Sequence, residues 1–180
     1  MGLAQVRYLS PLAREPPCWV THQSTVFVME VERKFLVTEP PNLDDADSDE
    51  IDQGYLAIGE DGEVRLRRKG ERLLLTAKRG AGISREEGEV ELDRDGFDLL
   101  WPLTEGRRLH KRRHVLPYEG LEIEVDVYAG ELDGLVIAEI EFGSQEEARA
   151  FQPPDWLGQD VTGDPRFLNE TLATEGPPGA

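Results

Sequence analysis

From Met29 onward the chain sets charged residues at every second position, in seven separate segments. Glu30, Glu32 and Lys34 alternate with Val31, Arg33 and Phe35. Glu63, Arg65, Arg67 and Lys69 alternate with Val64, Leu66 and Arg68, and Thr76 and Lys78 with Leu75 and Ala77. The pattern returns at Glu87, Glu89, Glu91 and Asp93, at Lys111 and Arg113, at Glu122, Glu124, Asp126 and Tyr128, and at Glu139 and Glu141. Successive side chains of a strand point to opposite faces, so a period of two specifies strands. Strands on mostly short connections pair antiparallel, which implies a largely all-β domain.

The charges are also sorted by sign. Glu87, Glu89, Glu91 and Asp93 form an all-acid row, Glu122, Glu124 and Asp126 a second, and Glu139 and Glu141 a third, whereas Arg65, Arg67 and Lys69 form a basic one. A sandwich with its charges in solvent is the ordinary fate of such strands. A solvated face, however, usually mixes signs, and like charges on neighbouring strands repel. One-sign rows make sense where they converge on counterions, with cations facing the acids and phosphate oxygens facing the bases. Closing the sheet into a barrel with the charged faces inward builds that tunnel.

Turns and caps divide the rest. Gly59-Glu60-Asp61-Gly62 and Lys69-Gly70-Glu71 read as hairpin loops, and residues 39–49 as a surface loop. Asp95 to Trp101 reads as a helix closed by Pro102, and Ser144 to Glu147 as a capping box opening a second helix through Phe151. Residues 1–28, with Pro11, Pro16 and Pro17 and no sustained period, read as an N-terminal extension: a disordered arm, or a start assigned too far upstream. Residues 29–172 then form the domain and 173–180 a flexible Gly/Pro-rich tail.

A formal net charge of −17 repels nucleic acid and anionic membrane and makes both poor partners. It also repels a polyanionic substrate, so any phosphate ligand needs a concentrated local basic site. The single cysteine, Cys18, leaves no intramolecular disulfide, which fits the cytoplasm. No apolar run approaches the ~18 residues of a membrane span. The Gly-x4-Gly-Lys-Ser/Thr loop of nucleotide-binding enzymes is absent. His22, His110 and His114 lack metal-ligand spacing, and Trp19, Trp101 and Trp156 are too scattered to form a stacking platform.

Acids two apart on a strand project to one side, about 6–7 Å from each other. The pairs Glu30/Glu32, Glu124/Asp126 and Glu139/Glu141 therefore suit one or two hard divalent cations. Arginine forks match phosphate oxygens and lysines add point charge. Phosphoryl transfer needs positioning and charge neutralisation more than covalent catalysis, and a cation can activate a bound water.

At Glu30-Val31-Glu32-Arg33-Lys34 the chain resembles the CYTH superfamily of triphosphate tunnel metalloenzymes, whose first strand carries E-x-E-x-K. The resemblance continues in order through Gln53-Gly54-Tyr55-Leu56, Glu63-Val64-Arg65-Leu66-Arg67, Leu75-Thr76-Ala77-Lys78 and Ser84 to Glu89. Leu100 to Arg108 with Lys111-Arg112-Arg113, Glu124 to Tyr128, Ala138 to Phe142 and Asp160 to Phe167 are similar to the short bacterial tripolyphosphatases. It implies a mainly β fold, a closed eight-stranded antiparallel barrel with a few flanking helices. It further implies Mg²⁺ or Mn²⁺ dependence, homodimerisation and hydrolysis of tripolyphosphate to pyrophosphate and orthophosphate. By position, Lys34, Arg65, Arg67, Lys78, Lys111, Arg113 and Arg166 would hold substrate, and Glu30, Glu32, Glu124, Asp126, Glu139 and Glu141 the metals. Glu87 and Glu89 would line the tunnel, and Glu30, Glu32 and Lys111 would be catalytic. Two departures are Gly88, where relatives often carry an aromatic, and Pro165, where a Lys commonly precedes the Arg. The same fold hosts adenylate cyclases and thiamine or nucleoside triphosphatases, and a non-catalytic polyphosphate- or nucleotide-binding module is an alternative of another class.

Overall fold

The structure is a computed structural model and describes residues 28–80 and 84–179. Eight strands follow in chain order: β1 (Val28–Leu36), β2 (Asp47–Gly59), β3 (Gly62–Lys69), β4 (Arg72–Arg79), β5 (Ser84–Glu91), β6 (Arg108–Tyr118), β7 (Leu121–Ala129) and β8 (Val136–Glu141). All neighbours pair antiparallel, and the sheet closes in the order β1-β5-β4-β3-β2-β6-β7-β8. Three short helices flank it: α1 (Arg94–Leu100), α2 (Gln145–Ala150) and α3 (Asn169–Glu175). The expected N-terminal extension lies outside the described residues, except Val28, which opens β1.

The alternation decides which face goes inside. Val31, Phe35, Ile123, Val125 and Ile140 share the outer face of β1, β7 and β8 and pack under Ala148 of α2, Phe142 and Leu157. Leu66 and Leu73 pack outward against Phe97 of α1 and Trp101 of the 3-10 turn that follows it. Phe97 and Trp101 stack with centroids 5.2 Å apart. Burying a large apolar side chain stabilises by about 1.5–3 kcal/mol, and these outer clusters hold the helices on. The charged face has nowhere to go but the interior. One end of that interior is apolar: Leu109, Tyr128 and Ile137 meet Val161, Phe167 and Leu172, so α3 closes this end.

Four differences from the sequence reading have local causes. The eighth strand is β2, which shows no charge alternation because its inward residues are Ile51, Gln53 and Tyr55, and a register shift between Tyr55 and Ala57 breaks its period. It begins at Asp47, inside the expected 39–49 loop. Asp93 does not extend the acidic row: its carboxylate accepts from the Gly96 amide at 2.8 Å and caps α1. The chain past 172 continues as helix through Glu175, anchored by the buried Leu172. The capping box stands as expected, with Ser144 Oγ accepting from the Glu147 amide at 3.1 Å.

Candidate active site in the barrel interior

Seven strands aim charged side chains into one cavity of about 110 Å³. β1 contributes Glu30, Glu32 and Lys34; β3 contributes Arg65, Arg67 and Lys69; β4 and β5 contribute Lys78, Arg85 and Glu87. β6, β7 and β8 add Arg113, Glu124, Glu139 and Glu141, and α3 adds Asn169. The wall thus holds seven bases, six acids and no apolar side chain. In a chain of net charge −17 this is a local basic island.

Most of these charges are paired. Lys34 Nζ donates to Glu139 at 2.7 Å and stands 3.5 Å from Glu32. Lys78 Nζ donates to Glu30 at 2.7 Å and also pairs with Glu87. Arg113 Nε donates to Asp126 at 2.7 Å, and the same guanidinium reaches Glu124 and Glu139. Arg65 lies 3.3 Å from Glu63 and 3.7 Å from Glu87, and Arg85 lies 3.6 Å from Glu32. Arg67 is the exception among the arginines: its Nε donates to the neutral Gln53 Oε1 at 3.1 Å, and among the described residues no carboxylate pairs with it. Burial, together with Arg65 and Arg113 beside it, pushes its pKa down to about 10.

The carboxylates divide by environment. Burial opposes ionisation of Glu139, but Lys34, Arg113 and Lys111 hold its carboxyl well below the usual range. Asp126 is likewise lowered by Arg113 and Lys111 against its burial. Burial pushes Glu30, Glu124 and Glu141 up. For Glu141 the neighbouring Glu30, Glu124 and Glu32 add to the effect, and no base pairs with it among the described residues.

The described part of the chain matches the CYTH domain over residues 29–168. The chain belongs to the CYTH family. It is 44% identical over 147 residues to an inorganic triphosphatase of Nitrosomonas europaea, which spans 80% of this chain and 96% of that protein. It is 40% identical over 145 residues to an inorganic triphosphatase of Acetivibrio thermocellus, spanning 79% and 92% of the two chains. A crystal structure of an inorganic triphosphatase superposes with a TM-score of 0.64 at 40% identity, covering 83% of this chain and 97% of that one.

Within this CYTH barrel, the expected site residues do not all reach the cavity. Glu30, Glu32, Lys34, Arg65, Arg67, Lys78, Glu87, Arg113, Glu124, Glu139 and Glu141 do. Lys111 is fully buried beneath the cavity, its ammonium pairing with Asp126 and lying 5.3 Å from the Tyr128 ring. Asp126 is fully buried beside it. Burial pushes Lys111 down to about 8, against the pull of Asp126. Glu89 is not among the lining residues and accepts from Thr76 at 3.2 Å. Arg166 is exposed on the 3-10 turn Pro165–Phe167 and pairs with Asp164 at 2.6 Å. Gly88, one of the two departures, pairs with Ala77 and faces outward, so it does not touch the cavity.

Arg85 and Asn169 were missed, and Lys69, although placed in the basic row, was not assigned to the site. Arg85 and Lys69 share the inward parity of Glu87 and Arg67, so the period alone identifies them. Asn169 sits on α3, where no strand period applies.

The donor set fits a hard divalent cation, since every acid lining the cavity offers carboxylate oxygens. Among the described residues no three of them already stand together at ligating distance, because lysines and arginines hold them apart. Glu141, which has no base beside it among the described residues and has Glu30, Glu124 and Glu32 as neighbours, is where a cation would be stabilised.

Proposed function

We propose that this CYTH enzyme is a metal-dependent inorganic triphosphatase, cleaving tripolyphosphate to pyrophosphate and orthophosphate with Mg²⁺ or Mn²⁺. The observation that carries the reading is Arg67, a cavity arginine crowded by Arg65 and Arg113 and paired with no carboxylate among the described residues. Such a group is stabilised by an anion, and the wholly polar wall around it suits a ligand that is charge along its whole length. The two curated relatives named inorganic triphosphatase support the same substrate.

Arg65, Arg67, Lys78 and Arg85 would grip one side of the triphosphate, and Lys34 and Arg113 the other. Binding would exchange partners: the bases that pair with Glu139, Glu30 and Glu124 would turn to phosphate oxygens, and these carboxylates would be the ones to hold the cation. When bound, the cation supplies charge neutralisation and a water of lowered pKa. Glu30 and Glu32 are the proposed catalytic carboxylates at that side of the cavity. Lys111 acts from beneath by fixing Asp126, which in turn orients Arg113. Glu87 lines the cavity between Lys78 and Arg65.

The cytoplasm suits the lone cysteine. No described helix is long and apolar enough to cross a membrane. Homodimerisation is checked by light scattering after gel filtration, with Leu99 and Leu103 as the exposed apolar pair on α1 and the turn after it. The deciding experiment is phosphate release from tripolyphosphate, ATP, thiamine triphosphate and pyrophosphate, each with Mg²⁺ and with Mn²⁺. Turnover greatest on tripolyphosphate supports the reading. Release of pyrophosphate with cyclic AMP from ATP, or tight binding with no turnover, overturns it.

A further inference from the structure

A second cavity, of about 350 Å³, opens at the other side of Glu32, Lys34 and Arg85, which line both spaces. Its remaining wall includes Glu63 of β3 and Glu170 of α3. Glu63 is 5% exposed, and the substrate reading gives it no role. Its Oε1 accepts from Arg65 Nη1 at 3.3 Å, while its Oε2 is buried with no hydrogen-bond partner among the described residues. A buried carboxylate oxygen without a donor is costly. The nearest way to satisfy it is a proton shared with a second carboxyl, and Glu170 is the carboxyl that the closing helix brings to the same wall.

We propose that Glu63 and Glu170 share one proton and that this pair positions Arg65 for the triphosphate. The proposal rests on the triphosphatase reading for its kinetic consequence only. The surrounding charges fit. Arg65 faces Glu63 from the same strand and Lys78 stands across from it on β4, its ammonium engaged by Glu30 and Glu87. Arg85 acts on it from β5, Tyr55 lies beside it on β2, and Glu32 lines the same cavity from β1. Burial pushes Glu63 up to about 7 against the pull of Arg65 and Arg85, and the neighbouring charge of Glu170 adds to it. With the proton in place, Glu63 leans on Glu170 and competes weakly for Arg65. Once the proton leaves, the full carboxylate draws the Arg65 guanidinium away from the phosphate, and two like charges stand on one cavity wall.

The direction of the stability effect follows. A carboxyl raised in the folded state favours folding most below its unfolded pKa of 4.5, and that contribution is lost as pH rises through about 7. The test uses the full chain with Glu63→Gln and Glu170→Gln, and takes two readings. The first is Tm without substrate from about pH 5 to 8. The second is kcat and KM for tripolyphosphate at fixed free Mg²⁺ over pH 6 to 8.5. The expected result is that wild-type Tm falls with pH relative to both variants. In parallel, wild-type KM rises about threefold or more relative to Glu63→Gln while kcat changes little. Glutamine at 63 mimics the protonated form, so its low KM should persist at high pH. Parallel Tm profiles in wild type and both variants would overturn the shared proton. Parallel KM profiles with diverging Tm would overturn the positioning of Arg65. Absence of any tripolyphosphate turnover in wild type would defeat the substrate reading instead and leave the Tm result to decide on the pair.

Discussion

Arg67 and Arg68 are adjacent on β3 and point to opposite sides of the barrel wall. Arg67 faces the cavity, while the Arg68 guanidinium lies 5.6 Å from the Phe97 ring centre and 3.6 Å from Asp52 on the outside. Losing one charge-assisted phosphate contact costs about 1.5–3 kcal/mol, or roughly 10- to 150-fold in kcat/KM. Arg67→Ala should therefore lower kcat/KM for tripolyphosphate at least about tenfold, whereas Arg68→Ala should leave it nearly unchanged. Because Arg67 is already crowded by like charge, its removal should not lower Tm. Equal kinetic effects from the two substitutions would contradict the inward-charge barrel. Glu139→Gln behaves differently in the folded protein. Glu139 is buried and accepts from both Lys34 and Arg113. Removing its charge leaves two buried bases underpaired, so turnover should be lost together with a measurable fall in Tm. Retention of Mg²⁺-dependent activity within a few-fold would take Glu139 out of the site.

At the scale of elements, the period of two reveals a face but not its direction, and packing supplies the rest. The outer residues Val31, Phe35, Leu66 and Leu73 are covered because α1 and α2 bring Phe97 and Ala148 to them. Seven strands are legible because charge alternates along them. β2 is legible only through its likeness to relatives, since Ile51, Gln53 and Tyr55 carry no charge rhythm. The cavity acids and bases follow from strand parity, Lys69 among them, and so would Arg85 had parity been applied to every charge. The depth of Lys111 and Asp126 is not written in the period, because depth depends on where α3 and its plug of Phe167 and Leu172 end the hollow. The place of Arg166 is not written in it either, because a turn, not a strand, carries it. The junction of β2 with the turn after α1 is tight. A Cβ on Gly54 would stand 2.5 Å from Thr104 Oγ1, inside van der Waals contact. Gly54→Ala should therefore lower Tm by displacing the Trp101–Thr104 turn, with an overpacking cost of about 1–3 kcal/mol. An unchanged Tm would show that Thr104 moves aside freely.

For the molecule as a whole, the charge of −17 and the basic cavity act on a triphosphate in opposite senses and over different distances. The net charge repels a polyanion at long range, where salt screens it with a Debye length of about 10 Å at 0.1 M. The cavity bases act at contact, from buried positions such as Lys34, Arg65 and Lys78, where screening is weak. A surface that steered substrate in would give a kcat/KM that falls steeply with salt. Here added salt relieves the repulsion more than it weakens the grip. Raising NaCl from about 20 to 150 mM at constant free Mg²⁺ should thus leave kcat/KM for tripolyphosphate level or slightly higher. The same measurement on a chain lacking residues 1–27 should give the same curve, because the CYTH match begins at residue 29 and the charged alternation with it. A severalfold fall with salt in both chains would mean that the attraction is long-range and that an exposed basic surface, not the buried cavity, captures the substrate. A fall in the full chain alone would assign that capture to Arg7 and Arg14 of the N-terminal extension.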